Sequence, residues 1–299
     1  MRLKASFSNK SGLTQLWLLF FLIIAGLLII SLLSVVFFIK ADVVGSLQDP
    51  GYLRLIQSVS VVFSFLLPAL ALAWFCSESP LEYLSLTKFP SAKVCLLVFV
   101  SLFLLGPTIN MTALLNKQLV LPPFLESVEL WMKAKEAEME GIVNLLIQDK
   151  SRGAFIANLV VMALLAALTE EILFRGAIQR IIEKWTKNHH VVIWFAAIVF
   201  SAIHMQFYGF IPRMILGAYL GYLLYWSKSI WLPILAHFIN NAVAVVATRN
   251  MNPENNYNEF ITGDIKSEHL LGYFFFAVIT FSLFFLLNKK LAKEAKPVD

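Results

Sequence analysis

The sequence predicts an all-α fold, a polytopic membrane helix bundle with about eight transmembrane helices. Three observations predict it. Of 299 residues, 59% are hydrophobic and 14% charged, with a mean hydropathy of +0.75, far from the balance of a soluble domain. About eight apolar stretches are long enough to cross a bilayer core of roughly 30 Å. No alternating ten-residue pattern appears, which excludes a membrane β-barrel.

Taken in order, the first expected span is Leu16–Phe38. It is too long for a signal-peptide core and no small-residue cleavage site follows it, so it reads as a retained anchor. Tyr52–Cys76 and Val94–Leu115 follow, with interiors free of acidic, basic and histidine side chains. Cys76 and Cys95 have no paired spacing and read as small buried hydrophobes. The longest connection, Asn116–Gly153, contains a run from Glu126 to Glu140 rich in helix formers, with Leu125, Val128 and Trp131–Met132 on one face. It is expected to form an amphipathic helix that lies on the outer surface, caps the bundle or stands in solvent. The next four spans are Ala154–Trp185, Val191–Phe207, Ile211–Trp226 and Ile230–Ala247. His189 and His190 read as solvated loop residues, and Pro233 as a bend that frees a backbone carbonyl in the seventh span. Asn250–Ser267 is polar and turn-rich, and Leu270–Leu287 is the last span. The chain therefore divides into residues 1–153 (three spans and the amphipathic connection), 154–247 (a four-helix core) and 248–299 (polar loop, last span and basic tail). No internal repeat is evident.

The net charge of +5 is unevenly spread. With eight spans both termini lie on one side, which carries 13 Lys/Arg against 5 Asp/Glu; the other side carries 10 against 12, and Glu170, Glu171 and Arg175 complete the totals. The excess of basic residues assigns both termini to the cytoplasm, and the chain is expected to be a multi-pass protein of the plasma membrane. These lysines flank spans, where anionic lipid attracts them, so the basic charge calls for the lipid bilayer as partner and for no nucleic acid.

Spans four to seven hold nearly all the intramembrane polar chemistry. Thr169-Glu170-Glu171-Ile-Leu-Phe-Arg175 lies inside an apolar helix, where one acidic residue costs roughly 2.5–3.5 kcal/mol. Phe200-Ser-Ala-Ile-His204 lies on span five, Gly217-Ala-Tyr-Leu-Gly221 on span six, and His237-Phe-Ile-Asn240-Asn241 on span seven. Glu171 and Arg175 are four apart and share a helix face, so they pair. Glu170 is rotated by about 100° and has no cation on its own helix. Burial without a partner makes a carboxylate a usable base near neutrality. Both Glu170 and His204 fall about 20 Å from the loop that joins their helices, so the hairpin brings them level, in the cytoplasmic half of the membrane. His237 and Asn241 share one face, Asn240 points away as a bystander, and the two glycines read as helix packing.

Glu-Glu-x-x-x-Arg, Phe-x-x-x-His and His-x-x-x-Asn, each on its own hydrophobic helix and in this order, resemble the CAAX protease and bacteriocin-processing (CPBP) family, which includes the type II CAAX prenyl endopeptidases. The motifs match at Glu170, Glu171, Arg175, Phe200, His204, His237 and Asn241, and the resemblance covers about Asn158–Val246. It implies an intramembrane endopeptidase with its catalytic core on spans four to seven, acting on a membrane-associated peptide or protein substrate. Carried over, Glu170 and His204 activate water, His237 and Asn241 stabilise the oxyanion, and Glu171 and Arg175 support the first helix. The family is commonly labelled metalloprotease. Glu170, His204 and His237 are a donor set that zinc accepts, although an H-E-x-x-H helix is absent; the sequence leaves the metal open. Other readings are a proton-coupled transporter, since Glu/His chains also mark ion pathways, and a non-catalytic scaffold or bacteriocin self-immunity protein.

Overall fold

A computed structural model describes residues 3–38, 49–250, 265 and 267–295. Most of the polar segment Asn250–Ser267 and the tail beyond residue 295 lie outside the described residues. The described chain is helical, without a strand.

Among the described residues, seven helices are long and apolar enough to cross a membrane. They are α1 (Gly12–Phe38), α2 (Pro50–Cys76), α3 (Ala92–Lys117), α5 (Arg152–Ile182), α7 (Phe210–Ser227), α8 (Trp231–Asn250) and α9 (Leu270–Glu294). Two further helices of more than ten residues are α4 (Glu126–Ile147) and α6 (His189–Ala202). Several start where a short polar side chain precedes the apolar run. Asp49 caps α2 through the Tyr52 amide with Pro50 in the first turn, Ser91 caps α3 through Val94, Ser151 caps α5 through Ala154, and Asn188 caps α6 through His190.

The expected fifth span differs most. Its apolar run continues to Phe207, but α6 stops at Ala202 after 14 residues, about 21 Å of helix. Met205 takes φ 55°, a left-handed conformation that breaks the helix. The Nδ1–H of His204 donates to the Phe200 carbonyl at 2.7 Å, satisfying one of the carbonyls a helix end leaves open. His204 therefore sits in a turn rather than in a helix. The α6–α7 hairpin packs closely because α7 offers small residues: a Cβ on Gly221 would meet Ile193 Cγ2 at 2.8 Å.

Three smaller expectations also change. Pro233 falls in the first turn of α8, where its missing N–H is not needed, so it does not bend the helix. His189 and His190 open α6 instead of lying in the loop; His189 stacks on Tyr225 at 4.2 Å and His190 meets the Tyr222 hydroxyl at 2.5 Å. Cys76 is buried, whereas Cys95 is only partly so.

The amphipathic connection packs on the bundle. Trp131 of α4 lies 5.2 Å from Phe207 in the α6–α7 turn. At its other end the Leu146 carbonyl accepts from Arg54 Nη2 of α2 at 3.0 Å and from Asn158 Nδ2 of α5 at 2.8 Å. Helix α4 thus bridges α2, α5 and the turn that carries His204.

Candidate functional site

Helix α5 is not a regular α-helix around its glutamates. Ala166–Glu171 is α-helical, but Leu159–Leu165 before it and Ile172–Ile178 after it are π-helical. Wider turns of this kind re-aim side chains and leave carbonyls for outside donors. One of those carbonyls, Met162, accepts from Asn241 Nδ2 of α8 at 3.2 Å. Glu170, Glu171, Arg175 and His237 are all buried; Glu171 and Arg175 are 0% and 1% exposed.

The two adjacent carboxylates have different surroundings. Oε1 of Glu171 accepts from Arg175 Nη1 at 2.9 Å and from His237 Nδ1 at 2.8 Å. Arg175 also donates through Nη2 to the Gly217 carbonyl at 2.7 Å and lies 4.6 Å over the Phe200 ring. That contact gives Gly217 a use beyond packing. A Cβ there would stand 3.1 Å from Phe200 and 3.2 Å from Arg175 Nη2. Glu170 has no such partners. Its Oε2 is buried without a hydrogen bond, 3.8 Å from Nε2 of His204 and 3.8 Å from Nε2 of His237.

The hydrogen bonds fix what each histidine presents. A carbonyl only accepts, so His204 carries its proton on Nδ1 towards Phe200 and turns an Nε2 lone pair to Glu170. Ionised Glu171 likewise holds the Nδ1 proton of His237. Phe200 sets both rings edge-on, at 4.9 Å from His204 and 5.8 Å from His237. The structure therefore gathers Glu170, His204 and His237 around one point, with Glu171, Arg175 and Phe200 behind them. Asn241 is not hydrogen-bonded to that group: its partners are Met162 and Asn240, whose Nδ2 donates to its Oδ1 at 3.1 Å. Asn240, expected to be a bystander, thus helps orient Asn241.

Arg213 was missed by the sequence reading. It lies one turn into α7 and donates to the backbone and side-chain oxygens of Gln206 at 3.3 and 2.6 Å, on the turn that presents His204. A cation so soon after an apolar helix begins was the available signal; counting it with the loop charges hid it.

The donor set fits zinc in chemistry but not in spacing. Two histidine lone pairs and a carboxylate are suitable donors, but 3.8 Å from oxygen to each nitrogen is wider than the roughly 3.3 Å edge of a tetrahedral zinc shell. No group of three or more His, Cys, Asp or Glu among the described residues is spaced to hold a metal ion. The same separation fits a water molecule, which reaches an oxygen and a nitrogen 3.8 Å apart with two hydrogen bonds of ordinary length.

Fold and site together define a multi-pass membrane protein with its ionisable groups turned inward around a point suited to water chemistry. Residues 152–243 match the model of the family described as type II CAAX prenyl endopeptidase Rce1-like. The uncharacterised protein YpbD of Bacillus subtilis (strain 168) is 32% identical over 92 residues, 29% of this chain and 44% of that protein. The match thus spans less than half of that relative's length. No solved structure matches the chain. At the level of the family, these findings support a membrane protease.

Proposed function

We propose that this protein is an intramembrane endopeptidase that hydrolyses a peptide bond of a membrane-associated substrate. The observation that carries the reading is the Glu170 Oε2 atom, buried, without a hydrogen bond and 3.8 Å from two histidine nitrogens. A buried carboxylate left unpartnered is costly; a water held between it and His204 supplies the missing partner. In the reaction the water oxygen attacks the scissile carbonyl carbon and one of its protons passes to Glu170. Negative charge then develops on the carbonyl oxygen. The free N–H of Asn241 stabilises it, the requirement met by oxyanion holes generally, while His237, its Nδ1 proton held by Glu171, lines the site beside it. Collapse breaks the C–N bond, and the departing amine takes the proton back from Glu170. Glu171 and Arg175 hold His237 and α5 in register for this. Both termini are assigned to the cytoplasmic side of the plasma membrane, in keeping with the basic residues that flank the spans.

The test is comparative proteomics of membranes from cells with the wild-type protein and with Glu170→Ala. An uncut precursor should accumulate in the variant. A Glu170→Ala protein that cleaves at the wild-type rate ends this reading.

A further inference from the structure

Arg213 has no carboxylate at ion-pair distance among the described residues, although it is partly buried between helices. Its hydrogen bonds go to Gln206, a neutral partner. Such a charge is expensive unless something anionic compensates it. Two acidic groups act on it through space, Glu170 from α5 and Glu136 from α4. Glu136 leaves its own Oε2 buried without a hydrogen bond, and so does the hydroxyl of Tyr208, on the same turn as Gln206. Helix α4, which meets the α6–α7 turn through Trp131 and Phe207, and that turn therefore both carry unsatisfied polar atoms on the side of the bundle that presents His204. They comprise a cation held by a neutral partner and without an ion pair among the described residues, and two oxygens without hydrogen bonds.

We propose that Arg213 is a specificity-determining residue that binds a carboxylate of the substrate close to the scissile bond, with Glu136 as its counter-charge in the empty protein. This rests on the protease reading above. A guanidinium fork suits a carboxylate, which it grips with two parallel N–H···O bonds. Gln206 holds the fork on the turn that positions His204, so binding there sets the substrate's register against the water site. The carboxylate is either the C-terminus of the substrate or an acidic side chain near it.

The test is peptide binding to the full-length Glu170→Gln protein in phosphatidylcholine nanodiscs, so that cleavage does not intervene. The probes are a fluorescent degenerate hydrophobic hexapeptide library made as the free acid, as the C-terminal amide, and as the amide with glutamate in the last position. The free acid should bind at least about tenfold more tightly than the plain amide. Recovery with the terminal glutamate assigns the site to a side chain, and no recovery assigns it to the C-terminus. Arg213→Gln should bind all three libraries alike, Arg213→Lys should keep part of the preference, and Glu136→Gln should tighten the acid forms. Should Arg213→Gln fail to fold, the comparison on intact Arg213 still decides. Equal binding of acid and amide forms there, a preference that survives Arg213→Gln, or no binding of any library overturns the proposal. A wild-type protein that shows the binding preference yet cleaves nothing overturns only the protease reading.

Discussion

Helices α5 to α8 and the flanking helices α1, α3 and α9 are built under different constraints. More than half of the most apolar stretch of α5 is buried, against 11% in α1 and 17% in α9. The flanking helices meet lipid over most of their surface, and lipid asks only that they be apolar. The inner four must also satisfy Glu170, Glu171, Arg175, His204 and His237 away from bulk water. Position matters inside; outside, composition nearly suffices. This difference predicts where a single substitution is felt.

The largest effect belongs to Glu170. Glu170→Gln should lower cleavage about 10³-fold, within the range for loss of a general base, while the melting temperature in detergent stays at or above the wild-type value. Removing an unpaired buried charge does not remove a contact. A variant that unfolds instead would place Glu170 among the supports, with Glu171. Cleavage is read by precursor processing and stability by thermal unfolding of the purified protein.

Breaking the neighbouring pair should reverse this pattern. Arg175→Ala leaves Glu171 buried and half-paired, which costs about 3–5 kcal/mol where such pairs have been cut, and should appear first as lost stability. Arg175→Lys should recover only part, because one ammonium does not reproduce the fork that reaches both Glu171 and the Gly217 carbonyl. On the flanking side, Leu286→Ala, at a residue 61% exposed, should stay within about 0.5 kcal/mol of wild type. Equal losses at the two positions would dissolve the distinction between inner and outer helices.

The flanking helices have at least one position where composition is not enough. A Cβ on Gly26 of α1 would collide with the Phe63 carbonyl oxygen of α2. Phe63 lies in a third π-helical stretch, Val62–Leu66. Gly26→Ala should therefore cost about 1–3 kcal/mol, the range for overpacking, measured against Gly106→Ala in α3, where nothing lies within 4 Å. No difference between the two would show that α1 yields to the added methyl.

The separation of Glu171 from Glu170 was legible in the sequence because it rests on helical rotation, which a local distortion of α5 does not cancel. The convergence of Glu170 and His204 was legible from counting residues back from a shared loop. The partner of His237 was not. Its bond to Glu171 depends on how α8 leans on α5, and no spacing along either helix encodes that. The end of α6 was hidden because Ile203, Met205 and Phe207 continue the apolar run, while the left-handed turn at Met205 carries no glycine to announce it. The π-helical turns that place Met162 opposite Asn241 likewise leave no mark on apolar periodicity.

The smallest expected effect is none. Nε2 of His204 and Nε2 of His237 each stand 3.8 Å from the Glu170 carboxylate oxygen, which suits a water better than a zinc ion. Exhaustive dialysis of the purified protein against a chelator should therefore leave cleavage of its precursor unchanged, and added zinc should do nothing or inhibit by drawing the three donors together. The same geometry makes the opposite result informative. Activity lost on chelation and restored by zinc would mean that the group closes by about half an ångström to a metal shell. Glu170 would then be a ligand, and a different residue would have to take the proton from water. The inner helices would still differ from the outer ones, but their buried carboxylate would be compensated by an ion rather than by water.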